Sequence, residues 1–293
     1  MPVPRVAAIH DLSGFGRCSL TIVLPTLSAM GVQCCPLPTA YLSTHTGGFT
    51  DNTFLDLTDQ MAPVAAHWRR EGVTFDAIYT GFMGSREQMA LTAELIRAFR
   101  RPGVLAVVDP VMGDGGRPYR TYTPEMCRAM GELAELADVI TPNATEAALL
   151  LGEACGSLRL DRPEDCRRWA RALSLEGRRS VALTGVSPSE GTIGAACFDR
   201  TTGRTQVVSA PLAAGSFHGT GDLFASVLTG ALVRGQALAE AAELAADFTA
   251  RCAAHTLEQN LPRREGVEFE PLLWRLAQRP SDSGQVDYGR PHN

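Results

Sequence analysis

Lysine is missing from this chain: all 27 of its basic residues are arginine. A Walker A loop needs a lysine on the phosphates, and a protein kinase needs one on a strand above its ATP. An enzyme carrying pyridoxal phosphate as a prosthetic group needs a lysine for the Schiff base. All three classes are excluded, so any phosphate chemistry here must use helix N-termini, metal ions and arginine. Other things are scarce too. No apolar run approaches the roughly 20 residues of a membrane span, and no signal-peptide pattern opens the chain, so a cytoplasmic protein off the membrane is expected. Positive charge is not in excess: the net charge of −5 gives no reason to expect nucleic acid as a partner. The eight cysteines show no Cys-x-x-Cys and read as reduced, mostly buried thiols rather than a disulfide frame or a zinc site.

What is present has the balance of an ordinary globular protein, with 45% hydrophobic and 20% charged residues. Its 293 residues suffice for one large α/β domain or two small ones. No repeat or linker stands out, so one domain over residues 1–280 is expected. Residues 281–293, polar and containing Gly and Pro, read as a loose tail.

The stretch His218-Gly219-Thr220-Gly221-Asp222 runs straight into the apolar, helix-forming segment Leu223–Ala231. A helix starting there presents unpaired backbone N–H groups at its positive end. That is an anion site, and a triphosphate is its obvious occupant. Asp222 falls in the first turn and could reach an acceptor hydroxyl beside the phosphates. Anion cradle and base within four residues suggest phosphoryl transfer. A capped helix after a glycine turn explains the same letters, so the other segments have to decide.

Taken in order, Arg5–Ile9 reads as a buried strand, followed by the loop His10–Arg17 and a helix over about Ser19–Met30. Gly14 and Gly16 lack the third glycine and the later acid of a dinucleotide fingerprint. Ser13 is either a hydroxyl facing a small polar ligand or an N-cap or turn serine. Strand Val32–Leu37 and the short extended piece Tyr41–Ser43 lead to Thr44-His45-Thr46-Gly47-Gly48-Phe49. That loop can close over a heteroaromatic ring or be merely a turn, and His45 in it can be a proton carrier or a structural hydrogen-bonder. Helical patterns follow around Asp51–Asp59 and Ala62–Glu71, then a strand Phe75–Thr80, a glycine loop Gly81–Ser85 and a helix about Glu87–Arg100.

Val104–Val108 is the clearest buried strand, and it ends in Asp109-Pro110-Val111-Met112-Gly113-Asp114. Two carboxylates five apart on a glycine loop fit cation coordination near phosphates, or a solvated loop. A strand at 138–140 ends in Thr141-Pro142-Asn143-Ala144-Thr145-Glu146 and opens a helix to about Leu151. Asn143 and Glu146 share a helix face and can hold waters around a metal, or can form a capping arrangement. A helix at Asp161–Leu175, a strand at Ser180–Thr184 and a β-hairpin of 194–198 with 206–210 precede the Gly219 helix, and an alanine-rich helix spans about Leu238–Thr256. Ser13, Thr46, Asp109 with Asp114, Asn143 with Glu146, and Thr184 all follow apolar strands. In a doubly wound α/β fold that places them on one rim of a parallel sheet, facing the Gly219 helix end.

This combination resembles the ribokinase-like superfamily and, within it, the pyridoxal kinases. Gly219–Asp222, Asp109–Asp114, Thr141–Glu146, Ser43–Gly47 and Ser13–Gly16 carry the likeness, in order, over roughly residues 5–275. The resemblance implies a single-domain three-layer α/β/α sandwich with a mainly parallel central sheet. It implies ATP-dependent phosphorylation of the 5′-hydroxymethyl of pyridoxal, pyridoxine or pyridoxamine. Asp222 would be the base, and the Gly219, Thr220 and Gly221 amides would bind developing phosphate charge. Asp114, with Asn143 and Glu146 through water, would organise Mg²⁺; Asp109 and Thr141 would hold a monovalent cation such as K⁺. Asp109, Asn143, Glu146, Thr184, Phe217, Gly219 and Gly221 would form the ATP side. Ser13, His45, Thr46 and Phe82 would address the pyridine ring, and the protein would be a homodimer. The first loop reads Asp11-Leu12-Ser13-Gly14 where many pyridoxal kinases carry a Ser-His pair. Close alternatives are a hydroxymethylpyrimidine kinase of thiamine synthesis, whose members often carry Cys in place of Asp222, a sugar kinase of the same superfamily, and a silent paralogue that binds B6 or nucleotide.

Overall fold

Strand β1 (Arg5–Phe15) is the element against which the rest is laid, because Val6, Ala7, Ala8 and Ile9 are all wholly buried. A strand apolar on both faces belongs inside a sheet covered by helices on each side. The computed structural model describes residues 2–277, so the tail expected at 281–293 lies outside the described residues. After β1 come α1 (Leu20–Ala29), β2 (Gln33–Thr44), β3 (Phe54–Asp56) and α2 (Thr58–Arg70), then β4 (Ala77–Thr80) and α3 (Arg86–Phe99). Strand β5 (Leu105–Val108) leads into a two-stranded ribbon, β6 (Gly113–Asp114) with β7 (Arg117–Pro118), and helix α4 (Pro124–Ala134). Strand β8 (Val139–Ile140), α5 (Ala144–Leu151), α6 (Pro163–Ala172), β9 (Ser180–Val186), β10 (Thr192–Asp199) and β11 (Arg204–Pro211) follow, and α7 (Thr220–Val233) and α8 (Leu238–Glu258) complete the series.

One nine-stranded sheet runs β11-β10-β9-β8-β5-β4-β1-β2-β3. From β9 to β2 every pairing is parallel; β3, β10 and β11 are attached by antiparallel pairing. Val6 and Ala8 face α1, α7 and α8, whereas Ala7 and Ile9 face α2 to α6. The result is the three-layer sandwich with a mainly parallel sheet that the sequence resemblance implied.

Three local expectations need correction. The loop expected at His10–Arg17 is strand as far as Phe15, pairing Leu12 with Tyr41 and Phe15 with Thr44 after an irregularity between His10 and Leu12. Apolar periodicity stops at Ile9, but the chain stays extended because His10, Asp11 and Ser13 are themselves buried. Helix around Asp51–Asp59 is replaced by β3 and the entry to α2, since Phe54–Asp56 finds the free edge of β2 at Ala40–Leu42. Helix α4 was not among the expected elements, although Thr123 caps it and Pro124 occupies its first turn.

Asp138 joins the middle of the sheet to its flanks. One carboxylate oxygen accepts from the Ala106 amide at 2.8 Å, and the other meets Arg100 at 2.7 Å and Arg200 at 2.6 Å. Replacing Asp138 with alanine strands a buried N–H, so a loss of about 1–3 kcal/mol is expected in urea unfolding; an unchanged midpoint would show the clamp to be idle.

Candidate active site

Helix α7 begins at Gly219, whose φ of +82° lies in the left-handed region. Two features make glycine obligatory there: that φ, and the absence of room, since a Cβ would overlap the carbonyl oxygen of Arg17 and the Ile22 side chain. The Thr220 hydroxyl donates to the Phe217 carbonyl at 3.1 Å and closes the turn. Leu223 N–H is the first to return to the helix, on Gly219 O at 2.9 Å. The amides of Thr220, Gly221 and Asp222 come before that bond and have no intrahelical acceptor. They line a cleft of about 460 Å³ at the carboxyl ends of the sheet strands.

Asp109, Asp114, Thr141, Asn143, Glu146, Thr184, Phe217 and Gly219–Asp222 all line this one cleft. The convergence expected from the strand ends is met for these residues. Asp222 opens to the cleft but is otherwise enclosed by protein; burial, and secondarily the charge of Asp11, push it up to about 6. Its Oδ2 accepts from the Ser19 amide at 3.0 Å. Asp109 is pushed up to about 8, first by burial and then by Asp222, against the Thr141 hydroxyl that donates to it at 3.0 Å. Glu146 is raised by burial and by Asp109. These acids crowd one low-dielectric space without a counter-charge. Among the described residues no arginine lines the cleft, and His218 is the single basic side chain there. The expected use of arginine on phosphates is therefore not met in this cleft.

Asn143 and Glu146 form a reciprocal capping box on α5. The Asn143 side-chain oxygen accepts from Thr145 and Glu146 amides, and Glu146 Oε2 accepts from Asn143 N–H at 2.8 Å. Glu146 Oε1 also accepts from Met112 N–H, and Asn143 Nδ2 donates to Gly113 O. The capping alternative is thus realised, and it does a second job: it ties the β6 turn, with exposed Asp114, to the cleft wall. No group of three acidic, histidine or cysteine side chains is close enough to hold a metal by itself among the described residues. Scattered carboxylates beside free helix amides suit a cation that keeps water and phosphate oxygens, as Mg²⁺ does.

Four expected residues fall elsewhere. Ser13 is fully buried in β1 and donates to Asp11, so it neither caps a helix nor lines the cleft. His45 takes the structural role: its Nδ1 accepts from Gly47 N–H, which leaves Nε2 to donate to Arg264 O at 2.7 Å. Thr46 is exposed on the same loop, and Phe82 is half-buried with its ring 5.9 Å from Tyr122. The loop stands close to the cleft mouth nonetheless, because His45 lies 5.0 Å, ring to ring, from His218.

Comparison with known proteins decides the family. The phosphomethylpyrimidine kinase family model matches residues 23–265. The chain belongs to that family. A Bacteroides thetaiotaomicron structure, described as a phosphomethylpyrimidine kinase and crystallised with pyridoxal, is 41% identical at a TM-score of 0.88, covering 94% of this chain and 96% of its own. Pyridoxal kinase from Lactobacillus plantarum is 33% identical at a TM-score of 0.85, covering 94% and 97%. A pyridoxine/pyridoxal/pyridoxamine kinase of Bordetella avium is 29% identical over 92% of this chain and 93% of its own length.

This phosphomethylpyrimidine kinase family member has cleft residues that sequence reasoning missed. Ala246, Thr249, Ala250 and Ala253 of α8 line the cleft with small side chains. Their helical spacing was visible, but nothing in the letters told a cleft face from a core face. Asp11, buried and not part of the cleft lining, was also visible two residues before Ser13.

Burial sets a pH dependence of stability. Asp109 and Asp222 keep protons in the folded chain up to about 8 and about 6, whereas unfolded carboxyls release them near about 4. Their stabilising contribution is complete below the unfolded value and is lost as pH rises through the folded ones. The ligand-free protein should lose melting temperature between about pH 5 and about pH 8, and Asp109→Asn should flatten the upper part of that slope. A melting temperature rising across the window, or an unaltered slope in the variant, would contradict the assignment.

Proposed function

We propose that the protein transfers the terminal phosphoryl group of ATP to the 5′-hydroxymethyl of pyridoxal, pyridoxine or pyridoxamine. The observation that carries this is the adjacency of one carboxylate, Asp222, to the free amides of Thr220 and Gly221 at the start of α7, inside the cleft. Relatives crystallised with pyridoxal or described as pyridoxal kinases supply the acceptor. In this reading ATP lies along the cleft with its ring toward Ala246, Ala250 and Ala253 and its terminal phosphate on the α7 amides. Thr184 and Phe217 border the nucleotide.

Asp222 takes the proton of the vitamer hydroxyl while that oxygen attacks the γ-phosphorus; the bond to the β–γ bridging oxygen breaks and ADP leaves. A pKa near 6 leaves Asp222 ionised at neutral pH, yet more basic than an exposed carboxylate. The amides of Gly219, Thr220 and Gly221 receive charge that grows on the transferring phosphoryl group. We assign Asp114, with Asn143 and Glu146 through water, to Mg²⁺, and Asp109 with Thr141 to a monovalent cation. A bound divalent cation neutralises phosphate charge. The hydroxyl of Thr46 and the ring of Phe82 are our candidates for contact with the pyridine, across the mouth guarded by His45.

A carboxylate at 222 favours the B6 vitamers over hydroxymethylpyrimidine, because kinases acting on the latter often carry cysteine there. It also argues against a silent binder, which has no use for a base. Family resemblance supports a cytoplasmic homodimer. Exposed Phe54 and Leu55 on edge strand β3 give such a dimer an apolar contact surface.

ADP release assayed with the three B6 vitamers, hydroxymethylpyrimidine and ribose tests the reading directly. Turnover on the vitamers is expected to dominate and to fade below about pH 6 as Asp222 is protonated. Asp222→Asn should lower kcat by about 10²–10⁴-fold with ATP affinity nearly kept. Preferred turnover of hydroxymethylpyrimidine or a sugar, or full activity of the variant, would reject it.

A further inference from the structure

Behind Asp222 lies a second buried carboxylate that the transfer reaction does not use. Asp11 is 5% exposed and, among the described residues, forms no ion pair; the hydroxyls of Ser19 at 2.6 Å and Ser13 at 3.4 Å donate to its carboxylate. Burying an acid on hydroxyls alone is costly. Ser19 is unusual in a second respect. It precedes α1 at the N-cap position, yet its hydroxyl makes no cap bond. Its backbone stands at φ +49°, ψ −131°, in the positive-φ region that a residue other than glycine rarely occupies. Such strain persists where the surroundings over-determine it.

The two observations meet in one residue. Asp11 holds the hydroxyl of Ser19, while the amide of the same residue donates to Asp222 Oδ2 at 3.0 Å. Letting Ser19 relax to an ordinary cap conformation would swing that N–H away from the carboxylate. With Oδ2 occupied, Oδ1 is the oxygen of Asp222 left without a hydrogen-bond partner among the described residues. From this geometry we infer that Asp11 and Ser19 are positioning residues, a tether that fixes the Asp222 carboxylate with one oxygen presented to the acceptor hydroxyl. The charge of Asp11 also helps to raise Asp222, which strengthens it as a base. Residues 11 and 19 therefore act on the chemical step through Asp222. The inference rests on the assignment of Asp222 as the base.

The experiment compares Ser19→Ala, Asp11→Ala, Asp11→Asn and Asp222→Asn in the full chain, with pyridoxal and ATP. Misplacing a catalytic group by a fraction of an ångström to 1 Å costs up to about 10²-fold, so Ser19→Ala and Asp11→Ala should lower kcat by about 10-fold to 100-fold. The KM values for ATP and pyridoxal should stay within about two-fold of wild type, because uniform binding is untouched. Asparagine at 11 still accepts the Ser19 hydroxyl, so Asp11→Asn should recover part of the kcat lost in Asp11→Ala. If Asp222→Asn is inactive while Ser19→Ala and Asp11→Ala both keep wild-type kcat, the tether is refuted and the base assignment stands. If Asp222→Asn is active, base and tether fall together. A rise in the KM for pyridoxal with kcat unchanged in Asp11→Ala would also overturn the tether, since it would make Asp11 a direct substrate contact. Should Asp11→Ala fail to fold, Ser19→Ala and Asp11→Asn decide by the same criteria.

Discussion

Residues Arg17–Ser19, the turn leaving β1, press against the first turn of α7 with no space between the backbones. The Arg17 carbonyl occupies the volume that a side chain at 219 would need, and the Ser19 amide bonds Asp222. Most of what the cleft can do depends on this approach. It forces glycine at 219, and so the left-handed turn that starts α7 with its free amides outward. It also ties the proposed base to the carboxyl end of β1. A parallel sheet delivers these pieces to one rim because its strands all end on the same side.

The electrostatics follow from the same crowding. Asp11, Asp109, Glu146 and Asp222 are each raised by burial, and charges on neighbouring acids reinforce the shift for the last three. Against them stands the positive end of α7, with no arginine among the described lining residues. In the proposed function, a cleft with this balance would repel bare phosphates and accept them once cations accompany them. On that proposal a chain without lysine would bind phosphate through backbone amides, with no arginine among the described lining residues. Arg17 pairs with Glu270 and Glu268, and Arg264 lies over the Phe49 ring. Those arginines brace the loops around the mouth.

The sandwich was legible because buried strands such as Leu105–Val108 and glycine loops ahead of helices alternate along the chain. The cleft was legible where a strand end and a chemistry-bearing residue coincide, as at Asp109 and Thr141, and where a glycine turn opens a helix, as at Gly219–Asp222. Legibility failed where burial was polar. His10–Arg17 read as a loop because its apolar pattern stops, whereas pairing with β2 keeps it in the sheet as far as Phe15, and Asp11 was given no role. His45 looked like a ring contact, but which partners claim an imidazole is decided by the loop at Arg264, more than 200 residues away. Asn143 and Glu146 carry two meanings at once, and only the placement of Gly113 and Met112 beside them shows cap and cleft wall to be one device.

A crystal structure with a non-hydrolysable ATP analogue and pyridoxal bound together tests the central claim most directly. The γ-phosphate should lie about 3 Å from the amides of Thr220 and Gly221, with the vitamer's 5′-hydroxyl on the free oxygen of Asp222. A nucleotide whose phosphates rest away from the start of α7, or a vitamer hydroxyl turned from Asp222, would contradict it.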